Sequence, residues 1–466
     1  MKRRELLQSG LAGGLGVFLA GQAGAAASPV VGGGGKPKGV VFLVSDGMSQ
    51  GVLAMAEAFR RQQSGVGTAW WGLLERPGVV HGLMDTASAN SLVTDSAAAS
   101  TAWSTGVRVP NGQICVDERG RNLESIGETL VGEGVKLGLV TTSRLTHATP
   151  AGFATNSVNR DDEELIAPQF LNRAEVLLGG GAFYFDGKRR EDERDLFGEY
   201  EKAGYEILRS RKDLAGAKGG KLLGTFWPHH LPFMLDWQNQ EEMRNQVPTL
   251  AEMTELGLGH LLAGGERFLL QVEGARIDHA AHGNDIGALL HEQLAFDEAV
   301  KKVLGMLAGR DDVLVVLTSD HGNANPGLNG TGAKYGRTNE HFERIGGLKR
   351  SFESLLKDWE RQKDGGLGDF VGLMKGGLGF EMRPEEAEVI LDSLAGQEVV
   401  EWSHQLNNPG GLMGQVVGNH TGTGWTGISH TSDPTQLTAL GPGAEAFAGM
   451  VRNDRVRDRL LGLLVG

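Results

Sequence analysis

Residues 313–322 read VLVVLTSDHG, a short run of Val, Leu and Thr closed by Ser-Asp-His-Gly. A continuous apolar run of this length, stopped by polar residues, predicts a strand buried on both faces, the pattern of a parallel sheet. Four more runs have the same form: GVVFLVSDG (39–47), KLGLVTTS (136–143), AEVLLGGG (174–181) and FLLQVEG (268–274). Helix-length stretches lie between them, such as 284–308, where apolar residues recur at helical spacing. Strands alternating with helices predict an α/β protein, a three-layer α/β/α sandwich around a central, mostly parallel sheet. Residues 323–402 interrupt the alternation. They are charged and amphipathic, with RSFESLLKDWERQK and RPEEAEVILDSLAG reading as helices, and are expected to form a helical insertion outside the catalytic segments.

The chain has 466 residues, 40% hydrophobic and 22% charged, which is the composition of a globular protein. Its formal net charge of −13 argues against phosphate-backbone binding, so no nucleic acid is expected as a stable partner. Many of its 72 glycines follow apolar runs, which suits tight turns at strand ends. Cys115 is the only cysteine, so no intrachain disulfide can form. Residues 1–27 read as an export signal: Lys2, Arg3 and Arg4, then a modest apolar stretch, then AGAAA for cleavage. The adjacent arginines followed by Leu6 and Leu7 resemble a twin-arginine signal. Loss of this segment would take the net charge from −13 to −15. Residues 28–38 read as a flexible leader and 39–466 as the catalytic domain. The mature chain is expected to be periplasmic or secreted, with no membrane span.

The chemistry concentrates at the ends of the apolar runs. Asp46, Glu273 and Asp320 each close one of them. One acid after a strand is ordinary turn chemistry. Three imply a shared edge, because parallel sheets gather ligand-binding residues beyond the carboxyl ends of their strands. Carboxylates brought that close repel unless cations lie between them. Asp278 and His282 are four apart, on one face if the segment is helical, and Asp320 adjoins His321. Mixed Asp/His sets suit zinc, and an oxygen-rich set with Glu and Thr suits magnesium. Elsewhere, SLVTDSAAASTAWSTG (91–106) sets Ser96 at the start of a small-residue helix. That is either an ordinary cap or a hydroxyl held at the helix's positive end, where phosphate binds.

Five separated motifs, in order, resemble the alkaline phosphatases: FLVSDGM, VTDSAAASTAWSTGV, THATPAGFATNSVNR, LQVEGARIDHAAH and VVLTSDHG. The resemblance runs from about residue 39 to 450, outside the 323–402 segment. It implies phosphate monoester hydrolysis through a phosphoserine on Ser96, with two zinc ions, one magnesium ion, small phosphomonoester substrates and a homodimer. It implies that Asp278, His282 and a late histidine hold the first zinc. Asp46, Asp320 and His321, with the Ser96 oxygen, would hold the second, and Asp46, Thr149 and Glu273 the magnesium. Arg160 matches the phosphate clamp, with Asp95 orienting it. The late histidine is His420 or His430, and the spacing to Gly441 and Pro442 favours His430. His147 and His279 stand where the best-known bacterial pattern has Asp and Lys, as in the animal enzymes. His279 would then lie beside the phosphate and His147 beside the magnesium, with a weaker hold on it. The nearest competing readings are a phosphodiesterase or a sulfatase of the same superfamily. A secreted phosphate- or metal-binding protein without catalysis is a further one. Cys115, in QICVDERG, does not fit a sulfatase site.

Overall fold

The structure is a computed structural model that describes residues 35–465 except 218, 363, 401 and 402. The export signal at 1–27 therefore lies outside the described residues, as does the leader up to residue 34. Lys38, read as the end of a flexible leader, is already tied to the sheet: its N–H donates to Asp312 O (2.7 Å) and its carbonyl accepts from Phe268 N (3.2 Å).

Ten strands form the central sheet. In chain order they are β1 (Gly39–Val44), β2 (Val80–Asp85), β3 (Lys136–Arg144), β4 (Val176–Gly180) and β5 (Tyr205–Leu208). They continue as β6 (Lys221–Thr225), β7 (Phe268–Glu273), β8 (Val313–Thr318), β9 (Thr435–Leu440) and β10 (Gly449–Arg452). Their spatial order is β10-β2-β9-β8-β1-β7-β3-β4-β6-β5, and only β9 runs antiparallel to its neighbours. The expected sandwich is thus present, and the five apolar runs are its centre.

The centre is buried on both faces, as the uninterrupted Val/Leu runs require. Successive residues of β1 point to opposite sides. Val41 and Leu43 join one apolar core, and Val40, Phe42 and Val44 join the other. The helices that frame the site are α1 (Gln50–Ser64), α2 (Ser96–Thr105), α3 (Ala148–Ala154), α4 (Leu250–Gly264), α5 (Arg276–His282) and α6 (Ile286–Met306). The first core packs against α1, α4 and α6, and the second against α2 and α3. Phe42 anchors the second core, with Trp103 edge-on at 5.2 Å and Phe153 at 6.0 Å between ring centroids. Helices α2 and α3 approach so closely that a Cβ on Gly152 would lie 2.2 Å from Ser100 Oγ. Small side chains along α2 are what this contact demands.

Residues 330–400 carry helices α7 (Phe352–Arg361) and α8 (Pro384–Leu394), where the two amphipathic stretches lie. Helices α9 (Pro409–Thr421) and α10 (Val456–Leu464) follow. No helix among the described residues is long and apolar enough to cross a membrane.

Candidate metal centre and active site

Register brings the strand-end acids together. Val44 lies level with Glu273 of β7 on one side and Thr318 of β8 on the other, and Thr141 of β3 is also level with Glu273. Asp46, Glu273 and Asp320 therefore leave the sheet side by side, and all three are fully buried. Helix α5 adds Asp278 from above: a Cβ on Gly47, which has φ +67°, would lie 2.5 Å from Asp278 Oδ1. Only glycine admits both that backbone and that approach.

Three clusters of ligand-type atoms result, each with its atoms within 4.8 Å of one another: Asp278/His282/His430, Asp46/Asp320/His321 and Asp46/His147/Glu273. In the first, His282 Nε2 is 3.0 Å from His430 Nε2 and 3.4 Å from Asp278 Oδ2. The Nδ1 of His282 faces Ile428 O (2.7 Å) and that of His430 faces Thr94 O (2.8 Å). A carbonyl can only accept, so each Nδ1 carries the proton and each Nε2 presents its lone pair inward. That is how metal-binding imidazoles are oriented. In the second cluster His321 Nε2 lies 3.0 Å from Asp320 Oδ2 and 3.8 Å from Asp46 Oδ1. In the third, both Asp46 oxygens, one Glu273 oxygen and His147 Nδ1 are buried without a hydrogen-bond partner. Thr149 Oγ1 lies beside the Glu273 carboxylate but makes no well-formed hydrogen bond. Buried polar atoms left unpaired in this number are costly, about 1–3 kcal/mol each. Cations on these oxygens and nitrogens would satisfy them, so the donor set fits metal ions.

The electrostatics agree. Burial, then Asp320, Asp278 and Glu273, hold Asp46 well above the usual carboxylate range. Burial pushes Glu273 up to about 7. For Asp278, burial acts upward but is outweighed by His282, His430 and His321, which hold it well below its ordinary value. His282 is buried too, yet Asp278 lifts it to about 9. Burial and the neighbouring His321 bring His430 down to about 4.

Ser96 begins α2, but it is not the cap. Asp95 is: its Oδ1 accepts from Ala98 N (2.9 Å). This frees the Ser96 hydroxyl, which faces His321 Nε2 at 3.2 Å and so adjoins the second cluster. The reading of Ser96 as an ordinary cap is thereby overturned. The other Asp95 oxygen accepts from Gly112 N (2.9 Å) and Arg160 Nη1 (3.1 Å). Arg160 Nη2 meets His147 Nε2 at 3.1 Å. One of its N–H donors is thus used for orientation by Asp95, and others remain available.

The structure brings His430, and not His420, to Asp278 and His282. His420 stacks on Phe380 (3.9 Å between centroids) near Glu386. His279 packs against His147 at 5.5 Å and against His230 at 4.3 Å, so a third imidazole joins the pair. Burial, with Arg276 beside it, holds His279 at about 3. Cys115 is buried, its thiol pushed up to about 12 by burial, and no nucleophile lies there.

Sequence reasoning missed three contributors. His230 sits on the loop after β6, held where Leu231 N donates to Thr142 O (3.0 Å). Arg276 donates to His279 Nδ1 (2.9 Å). Asn323 donates to Asp278 Oδ1 (2.7 Å) and Asp278 O (3.2 Å). Asn323 pairs with His430 in a two-residue strand, and Ala324 and Asn325 follow at φ +54° and +40°. The segment read as an excursion thus starts inside the site. The SDHGN sequence was the one available signal, an amide placed just after two candidate ligands.

Comparison with known proteins reaches the same place. A family model described as alkaline phosphatase matches residues 37–464. Alkaline phosphatase 3 of Bacillus subtilis is 31% identical over 376 residues, covering 78% of this chain and 75% of that one. The repressible alkaline phosphatase of Saccharomyces cerevisiae is 35% identical over 317 residues, covering 61% and 55%. The crystal structure of Thermus thermophilus alkaline phosphatase superposes with a TM-score of 0.86 at 31% identity, covering 96% of each chain. A sheet whose register gathers three acids under a fourth from a helix, a serine freed from capping, and these matches over nearly the whole chain place it in the alkaline phosphatase family, the hydrolases of phosphate monoesters.

Proposed function

We propose that this chain hydrolyses phosphate monoesters by way of a phosphoserine on Ser96, with two zinc ions and one magnesium ion. Asp278, His282 and His430 would hold the first zinc. Asp46, Asp320 and His321 would hold the second, and Asp46, Glu273, Thr149 and His147 the magnesium. When bound, such ions neutralise the substrate dianion and lower the pKa of coordinated oxygens towards 7 or so. Ser96 attacks phosphorus from the start of α2, where free N–H groups and the helix dipole favour the phosphoryl oxygens. Arg160, its plane set by Asp95, clamps two of those oxygens. The neutral His147 brings no negative charge to its cluster, so magnesium is held less firmly than by an aspartate there. His279 lies on the same side, beside His147. Residues 1–27 would export the chain by the twin-arginine route, and the mature protein would work as a periplasmic or secreted homodimer.

The observation that carries this reading is the Ser96 hydroxyl, 3.2 Å from His321 Nε2 while Asp95 performs the capping. The test is acid quenching during turnover of an aryl phosphate with zinc and magnesium, followed by peptide mass analysis. A phosphoryl group on the peptide containing Ser96, and its loss together with turnover in Ser96→Ala, is the expected result. Full turnover by Ser96→Ala would refute it.

A further inference from the structure

A groove of about 570 Å³ opens beside the metal clusters. The loop after β6 forms one wall through Trp227 and His230, and α7 with the residues before it forms the other. Arg276, at the start of α5, lines it as well. Its guanidinium lies 3.6 Å over the Phe233 ring and bonds Glu353 Oε2 (2.7 Å) as well as His279 Nδ1. His230 lines the groove and packs on His279, which packs on His147. All three imidazoles are partly exposed, so the surface runs from the clusters into the groove through them. Its volume falls within the range of small-molecule sites.

The charge of this groove departs from that of the protein. Five cations line it: Arg276, Lys349, Arg350, Lys357 and Arg361. Three are already paired, Arg276 with Glu353 and both Arg350 and Arg361 with Asp358. Asp236, the third acid, is buried and engaged by Ser351 N and Oγ. Lys349 and Lys357 have no ion pair among the described residues, and both are exposed. A chain of net charge −13 thus sets two unneutralised ammonium groups in a groove that leads to its active site.

We propose that this groove receives the leaving group of the substrate and selects phosphomonoesters whose alcohol carries a second anionic group, such as a sulfonate, carboxylate or further phosphate. The inference rests on the phosphatase reading above. Lys349 and Lys357 act as specificity-determining residues that touch the far end of the substrate. Their contact with it is the same before and during phosphoryl transfer, so it changes KM and leaves kcat alone. Exposed ammonium groups contribute modestly and are screened by salt.

The test compares 2-naphthyl phosphate with its 6-sulfonate, a pair differing by one anion that the enzyme does not cleave. Wild-type enzyme with zinc and magnesium should show the lower KM for the sulfonate at low ionic strength. In K349A/K357A the ratio of the two KM values should rise by about three- to tenfold, with the kcat ratio held. The shift should shrink in 0.5 M salt. A double variant that leaves the KM ratio unchanged, or moves the kcat ratio instead, would overturn the inference while the phosphatase reading stood. No turnover of either naphthyl ester by the wild type would overturn the phosphatase reading itself, and the inference with it.

Discussion

Asp46 belongs to two of the three ligand clusters, and both its carboxylate oxygens are buried without a partner. Replacing it with asparagine should therefore move stability in opposite directions with and without metal. In the metal-free protein, Asp46→Asn replaces a carboxyl group disfavoured by burial and by Asp320, Asp278 and Glu273 with an amide that can donate to those acids. Relief of one such buried acceptor is worth about 1–3 kcal/mol. With an unfolding entropy of ~2.1 cal/mol/K per residue, roughly 430 ordered residues give ~0.9 kcal/mol/K, so Tm should rise by about 1–3 °C. With metal the sign reverses. An ion present at a thousand times its Kd stabilises by ~4.1 kcal/mol, so three ions would raise the wild-type Tm by about 14 °C. The variant retains one intact cluster, and its shift should fall to about 5 °C. Differential scanning fluorimetry on chelator-treated protein, before and after titration with zinc and magnesium, measures both numbers. Hydrolysis of an aryl phosphate on the same samples should fall by about a hundred- to a thousandfold, as when a principal source of transition-state charge stabilisation is removed. A variant less stable than wild type without metal, yet showing the full metal-induced shift, would refute the placing of Asp46 between two ions.

Other outcomes follow from the same geometry. His430→Ala should abolish zinc-dependent turnover and one equivalent of bound zinc, measured by elemental analysis, while His420→Ala keeps both. Asn323→Ala removes the donor at 2.7 Å from Asp278 Oδ1 and should weaken zinc binding by about 10–100-fold in a chelator competition, as loss of such an orienting partner does. Asp285 caps α6 through Ala288 N (2.9 Å) and also accepts from Phe352 N (2.6 Å). Burial pushes it up to about 7, so the folded protein holds its proton across a range where the unfolded chain has lost it. Its contribution is complete below about pH 4 and is lost as pH rises through about 7, at up to ~1.4 kcal/mol per pH unit. Glu292, pushed up to about 7 by burial, acts in the same window. Asp285→Asn should reduce the fall in stability between about pH 4.5 and 7 without abolishing it, read from guanidinium melts of the metal-free protein, because Glu292, Glu273 and Asp46 are raised as well. An unchanged slope would exclude Asp285 as its source.

The sequence was clearest where one side chain's setting depends on its own neighbours in the chain. A central strand buried on both faces must be apolar throughout, so β1, β3, β4, β7 and β8 were visible as runs. The outer strands were not: β5 (YEIL) and β10 (GMVR) at the two edges, and β2 (VHGLMD) beside β10, are mixed in composition because their side chains are only partly buried. Asp46, Glu273 and Asp320 were visible because each follows its strand directly. The order of those strands was not, since β1 sits between β7 and β8, more than 200 residues away in sequence.

What the sequence by itself determined was the alternation of layers, the acids at the sheet's carboxyl edge, the serine at a helix start and the Asp278/His282 pair. Each is a local pattern, written in residues that are near one another along the chain. What only the tertiary structure decided was which groups meet across the fold: Asp95 rather than Ser96 as the cap, His430 rather than His420 beside His282, Asn323 on Asp278, and His230 with Arg276 against His279. Those contacts depend on strand register and on loops closing over one sheet edge. No periodicity records them, because burial and hydrogen bonding there are satisfied by partners distant in sequence.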